Sequence, residues 1–263
     1  MILSPEAEKW RLLEASSRSV FFNLATEEAV LQAVGKARSP NAIRLWVNTN
    51  SVVLGRFQNP QLEIDFAACK KYGAVIARRL TGGGTVYHDS GNLNYSVYLS
   101  RRHRLARDSV VEMFRQTALA VVSGLKNLNV NTEFKAPNSI LLGGKKISGM
   151  AGAVKWGGIL VHGTLLVEAN LEIMREVLSP SAVPHVNLPK SVRSVPSEVT
   201  NITASCSRAS LDVVRRVLRA GFEQAFGIRL KESTLSNEEA ALAETLAEKK
   251  YSRPDWILRG LSD

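Results

Sequence analysis

Hydrophobic positions along this chain alternate between two periods. Val110, Phe114, Thr117, Val121 and Leu125 recur at helical spacing behind Ser109 and Glu112, which stand at capping-box spacing. Leu211, Val214, Leu218 and Phe222 repeat the stripe behind Ser210, and Ala240, Ala243 and Ala247 follow a second Ser236–Glu239 pair. An earlier helix is expected from about 23 to 34, with Asn23 as its cap. Between the helices the period changes to two. Leu93, Tyr95, Val97 and Leu99 alternate with Asn92, Asn94, Ser96 and Tyr98, which predicts a strand with one buried face. Shorter apolar strands are read at 42–47, 51–54, 74–77 and 159–166. Residues 139–142 run through Gly143-Gly144 into 145–148 as a hairpin. The elements mix without strict β-α-β alternation. The expected class is therefore α+β, with mixed or mainly antiparallel sheets flanked by helices. The chain is expected to be one catalytic-size domain over 1–263, with a small helical C-terminal appendage at about 232–263. Pro180, Pro184, Pro189 and Pro196 mark 179–200 as a long surface loop, and loops of that length are often functional.

Composition narrows the choices only a little. Apolar residues make up 45% of the 263, enough for a sizeable core. No apolar run reaches membrane-spanning length, and the N-terminus lacks the basic-then-apolar order of a signal peptide, so a soluble, cytoplasmic protein is expected. The net charge of +10 suggests a polyanionic partner: nucleotide, nucleic acid or acidic protein. Arg101, Arg102, His103, Arg104 and Arg107 form the densest basic run, most simply a solvated loop before a helix. Cys69 and Cys206 have no partner at metal-ligand spacing, and no metal-binding set is assigned.

Three segments carry candidate chemistry. In Arg78-Arg79-Leu80-Thr81-Gly82-Gly83-Gly84-Thr85-Val86-Tyr87-His88-Asp89, a triglycine after a strand lets backbone approach a ligand and offer N–H groups to an anion. The arginines add charge and can grip a phosphate or carboxylate with two donors. Neither a P-loop nor a G-x-G-x-x-G helix start is present. Lys145 and Lys146 lie on a strand between glycine bends, so they point to opposite faces and only one can line a cleft. An ammonium held there can stabilise charge growing on phosphorus. His162 sits in an apolar strand, where a satisfied core histidine is as reasonable as a site residue.

In order, these segments resemble the lipoate–protein ligase A family, which shares a superfamily with biotin ligases and with lipoyl and octanoyl transferases. The resemblance runs from about Asn23 to Trp256. It includes Val53-Leu54-Gly55-Arg56-Phe57-Gln58-Asn59, the Arg78–Asp89 signature, Gly91-Asn92-Leu93-Asn94, Gly144–Gly149, His162-Gly163-Thr164, and the loop segments Ser191–Ser194 and Val199–Ile202. It implies a biotin/lipoate ligase-like fold and a two-step reaction. Lipoate and ATP, with Mg2+, would give lipoyl-AMP, and the lipoyl group would pass to a lysine of a lipoyl-domain or glycine-cleavage H-type acceptor. It further implies Lys146 as the essential lysine. Arg79, Thr81, Gly84, Val86, His88 and His162 would form the lipoyl pocket. Gly82, Gly83, Thr85, Tyr87, Asn92, Asn138 and Lys146 would contact nucleotide. Two features depart from the family. Ser139 follows Asn138 where many ligases have Asp, which bears on nucleotide placement. The chain also ends before a further C-terminal domain, which implies a separate small accessory protein.

The nearest alternative is an octanoyl or lipoyl transferase of the same fold, which would hold the acyl chain on a cysteine. Here Glu133 precedes Phe134-Lys135-Ala136-Pro137 where that thiol would stand. A basic nucleic-acid-binding module would explain the charge but not the ordered motifs, and only 6% of residues are aromatic. No specific nucleic acid and no membrane partner is expected.

Overall fold

The computed structural model describes residues 7–14, 19–106, 109–180 and 191–260. Arg107, Pro184 and Pro189 fall outside these stretches. An eight-stranded mixed sheet organises the chain. Its strands are β1 (Glu8–Leu13), β2 (Ala42–Trp46), β6 (Asn92–Ser100), β7 (Thr132–Lys135), β8 (Ser139–Leu142), β9 (Lys145–Lys155), β10 (Gly158–Leu166) and β11 (Ile228–Ser233). They lie in the order β11-β1-β2-β6-β10-β9-β8-β7. Strand β1 runs parallel to β2 and β11, and the other neighbours are antiparallel. A second sheet, β4-β3-β5, joins β3 (Ser51–Leu54), β4 (Val75–Arg78) and β5 (Val86–His88).

Helices cover both faces of the large sheet. Helices α3 (Val110–Lys126) and α5 (Leu211–Phe226) pack on each other and close the main core over Leu93, Tyr95, Val97 and Leu99. Helix α1 (Val20–Gly35) covers the other face of β6. Two shorter helices, α2 (Phe66–Tyr72) and α4 (Leu171–Val177), pack together beside the small sheet. Helix α6 (Asn237–Leu246) and the turns Ala247–Tyr251 and Asp255–Arg259 bring Ala243, Tyr251 and Trp256 into one buried cluster with Leu24 and Ala25 of α1. Among the described residues no helix is long and apolar enough to cross a membrane.

Several expectations change in detail. Helix α1 begins three residues earlier than predicted, because the Ser19 hydroxyl caps it by accepting from the Phe22 N–H at 3.3 Å. Asn23 is inside the helix and buried, where its amide donates to Asn48 at 2.8 Å and accepts from Arg44. At α3 only half of the capping box forms: Ser109 accepts from the Glu112 N–H, while the Glu112 carboxylate turns to Arg115. The Ser236–Glu239 box is complete. Strand β6 is buried on both faces rather than one, since Asn94, Ser96 and Tyr98 lie under α1. The hairpin at Gly143-Gly144 is present, with φ of 56° and 78° at the two glycines, the positive pair that a tight two-residue turn requires.

Candidate active site

Strands β3, β5, β9 and β10 converge with α1 on a cleft of two lobes. The inner lobe, about 760 Å³, is lined by Leu24, Trp46, Val53, Val86 and Met150 together with Glu27, Arg79, His88, Asn94, Lys146 and His162. The outer lobe, about 910 Å³, is lined by Tyr87, Lys145, Leu171, Met174, Arg175 and Arg193. Thr85, Val86, Lys146, Gly149, Thr164 and the segment 193–198 border both lobes.

Arg79 has a different task from the one its sequence suggested. Its guanidinium is buried and holds the triglycine turn from within, donating to the Gly82 and Gly84 carbonyls at 2.6 and 2.7 Å, to Val53 O at 3.1 Å and to the Thr81 hydroxyl at 3.0 Å. Burial lowers its pKa to about 10, so it remains charged at neutral pH. Arg78 donates to the carbonyls of Gly55, Gln58 and Ile257 and does not line the cleft. Both arginines thus direct most of their donors at backbone carbonyls rather than at a ligand. Gly55 allows the turn to settle: a Cβ there would lie 2.1 Å from Gly83 O.

A buried polar chain runs behind the turn. Thr81 Oγ1 meets His162 Nε2 at 2.7 Å, and His162 Nδ1 meets the Glu27 carboxylate at 2.8 Å. Glu27 also accepts from Ser96 at 2.7 Å, and Ser96 from Trp46 Nε1 at 3.0 Å. Burial pushes the Glu27 pKa up, but His162, Ser96 and Arg44 outweigh it and hold the carboxyl below its ordinary value. An ionised carboxylate only accepts, so Nδ1 of His162 carries the proton. His88 lies beside this chain. Burial, reinforced by the Arg79 charge, depresses its pKa to about 3, so it is neutral near pH 7. Asn48 Oδ1 already accepts from Asn23, so Asn48 Nδ2 donates to His88 Nδ1 at 3.0 Å. The His88 proton therefore sits on Nε2, which has no protein partner among the described residues. The same holds for Asn94 Nδ2. Two buried donors are thus left on a cleft wall, a costly arrangement unless a ligand or water accepts from them.

Lys146 borders both lobes and Lys145 only the outer one, as adjacent strand positions require. Lys146 makes no ion pair among the described residues, and burial alone lowers its pKa. Its side chain doubles back over Gly149, where a Cβ would lie 2.9 Å from Cε and 3.0 Å from Nζ.

Of the residues singled out from sequence, Arg79, Gly83, Gly84, Thr85, Val86, His88, Asn138, Lys146 and His162 line the inner lobe. Tyr87 faces the outer lobe, because neighbouring strand residues alternate sides. Thr81 and Gly82 lie behind the lining, and Thr81 acts through His162 and Arg79. Asn92 borders neither lobe. It is fully buried and donates to Tyr87 O of β5 at 2.8 Å. Asn138 donates to Met150 O at 2.7 Å, and Ser139 lines the inner lobe beside it. Sequence reasoning placed Gln58 and Asn94 in matched motifs and Glu27 in a predicted helix without giving them a role, and it missed Glu63. The available signal was a pair of carboxylates, Glu27 and Glu28, in a helix that is otherwise uncharged. Neither cysteine reaches the cleft. Cys69 is buried among Val52, Ile64 and Val177, with its thiol pushed up to about 11 mainly by burial, and Cys206 packs beside Leu128.

Comparison with known proteins adds to this geometry. A family model described as lipoyl protein ligase A/B catalytic domain matches residues 19–223. The chain is 35% identical over 245 residues to lipoate-protein ligase A subunit 1 of Thermoplasma acidophilum, covering 89% of this chain and 90% of that protein. It is 28% identical over 276 residues to octanoyltransferase LipM of Bacillus subtilis, covering 95% and 98%. Among solved structures, a T. acidophilum bipartite lipoate protein ligase, described with its E2 lipoyl domain, superposes with a TM-score of 0.84 at 31% identity, covering 97% of this chain and 98% of that one. A lipoate-protein ligase A bound with ATP gives 0.83 at 32%, and a putative T. acidophilum ligase with bound lipoic acid gives 0.82 at 32%, each covering 96% of this chain and 100% of the other.

Proposed function

Because the chain belongs to the lipoyl protein ligase A/B catalytic-domain family, and so is an enzyme of lipoate ligase or octanoyltransferase type, we propose that it is the ligase: it activates lipoate with ATP and transfers the lipoyl group to a lysine of an acceptor protein. A lipoate carboxylate oxygen attacks the α-phosphorus of ATP. The bond from that phosphorus to the bridging oxygen breaks, and pyrophosphate leaves. The acceptor ε-amine then attacks the acyl carbon, the bond to phosphate oxygen breaks, AMP departs and the amine proton goes to solvent.

The observation that carries this reading is the Lys146 ammonium, without an ion-pair partner among the described residues, at the junction of the two lobes. In this assignment the acyl chain lies along the inner lobe's apolar wall of Leu24, Trp46, Val53, Val86 and Met150, at roughly 0.8 kcal/mol per buried CH₂. The outer lobe takes the nucleotide. The mixed anhydride then lies beside Lys146, where a positive charge in a partly dehydrated site stabilises the pentavalent phosphorus most. The buried N–H donor of His88 suits a neutral acceptor and needs no protonation change. The cysteines support the same choice. Thioester transfer needs a reactive thiolate in the cleft, and both thiols are elsewhere, Cys69 with a raised pKa. Glu133 is exposed on β7.

The residues do not form a resident metal site: among those described, no group of three or more His, Cys, Asp or Glu side chains gathers. Magnesium would therefore arrive with the nucleotide phosphates, as it usually does, and no step is assigned to a protein-held ion. The T. acidophilum relatives are described as a subunit and as bipartite. By analogy we propose a separate accessory protein for this chain, and lipoyl domains as its acceptors. The test is acceptor mass after incubation with lipoate, MgATP and a lipoyl domain, with and without the candidate accessory protein. A gain that needs ATP and survives replacement of Cys69 and Cys206 by Ser is expected. A gain only from acyl-carrier thioesters, lost in the cysteine-free protein, would assign the transferase instead.

A further inference from the structure

The segment 191–200 crosses the cleft as a strap. At one end Lys146 N donates to Glu198 O at 2.8 Å and Thr200 N to Lys146 O at 3.1 Å. At the other, Val192 N donates to Phe57 O at 3.3 Å. The middle is held by Glu63, a carboxylate that is 4% exposed and is not used in the reaction above. Glu63 accepts from Arg193 Nε at 3.0 Å, from Ser194 N at 3.1 Å and from the Ser194 hydroxyl. That hydroxyl oxygen in turn accepts from the Thr85 backbone N–H at 2.9 Å and from Gln58 Nε2 at 3.1 Å. Only glycine permits the approach, since a Cβ on Gly84 would lie 2.9 Å from Ser194 Oγ.

The Thr85 N–H is the first amide after the triglycine, and such outward amides are what an anion takes. Here a serine oxygen, made electron-rich by its bond to a buried carboxylate, occupies that amide. We propose that Ser194 and Glu63 form a latch that competes with a nucleotide phosphate for the Thr85 N–H, so that nucleotide entry must break the Ser194 contact. This inference rests on the ligase reading, because it requires a phosphate-bearing substrate in this cleft. A binding state reached only after a local contact opens lowers apparent affinity by the fraction of time the contact is open. One such hydrogen bond corresponds to about a fivefold change.

Isothermal titration of the full chain with MgATP, on wild type, S194A and E63Q, tests the latch. Thermal melts confirm that each variant is folded. S194A frees the amide, and E63Q removes the charge that draws the strap inward. Both are expected to bind MgATP about fivefold more tightly than wild type. Weaker or unchanged binding in folded S194A would overturn the latch and leave the ligase reading standing, provided wild type binds. If neither wild type nor S194A binds MgATP, both fall together. Should E63Q fail to fold, S194A decides alone.

Discussion

Lys146→Met is expected to separate catalysis from folding. The ammonium has no carboxylate partner among the described residues, and burial lowers its pKa. A lysine whose folded pKa lies below its unfolded one is disfavoured by folding in its charged form. Below the folded pKa the native state bears the cost of the buried charge, and stability rises as pH climbs from the folded towards the unfolded value. An apolar side chain of similar length removes that cost, so stability at pH 7 is expected to be unchanged within about 0.5 kcal/mol, or higher. Adenylation is expected to fall by about 10²–10³, or ~2.7–4 kcal/mol, the usual loss for one preorganised charge-stabilising group. Pyrophosphate release with lipoate and MgATP measures the first step, mass spectrometry detects lipoyl-AMP, and urea melts measure stability. Gly149→Ala is the matched control. It keeps the charge but forces it off the strand, because the new methyl would lie 2.9 Å from Cε. A smaller loss of rate is expected there. If Lys146→Met keeps adenylation within threefold of wild type, or unfolds the protein by more than 2 kcal/mol, the role given to this ammonium is wrong.

Three other outcomes follow from the same contacts. Glu27→Ala orphans the buried Nδ1–H of His162 and the Ser96 hydroxyl, and should cost about 3–5 kcal/mol in urea unfolding, whereas Glu27→Gln should cost less by keeping one acceptor. His88, with a pKa of about 3 when folded, binds its proton more readily unfolded, so its contribution is full above pH 6.5 and is lost as pH falls toward 3. Stability should therefore drop by ~1.4 kcal/mol per pH unit across that window from this group alone, and a His88→Gln variant should show a shallower acid slope. Gly55→Ala would place a methyl 2.1 Å from Gly83 O; a loss of about 1–3 kcal/mol together with lowered MgATP affinity is expected, and an unperturbed melt would contradict the close packing of the two turns.

The chain's local patterns determined much of this protein. Caps set the starts of α3, α5 and α6, alternation placed β6, an apolar run placed β10, and the Gly143-Gly144 turn placed the start of β9 but not its continuation to Lys155, because those signals lie within one element and depend on few distant partners. The triglycine, Lys146 and His162 were legible for a similar reason: glycine and charge are unusual in apolar strands. Tertiary structure decided the rest. Strands β1 and β11 pair in parallel across more than two hundred residues of sequence, and no local period can specify such a contact. The polar face of β6 read as solvent-facing, yet α1 covers it, since Glu27 accepts from the Ser96 hydroxyl and lets it be buried. Arg79 read as an anion grip, but the turn's own carbonyls take its donors once the chain closes around it. Glu63 carried no signal at all, because its role exists only when a strap more than a hundred residues later folds onto it.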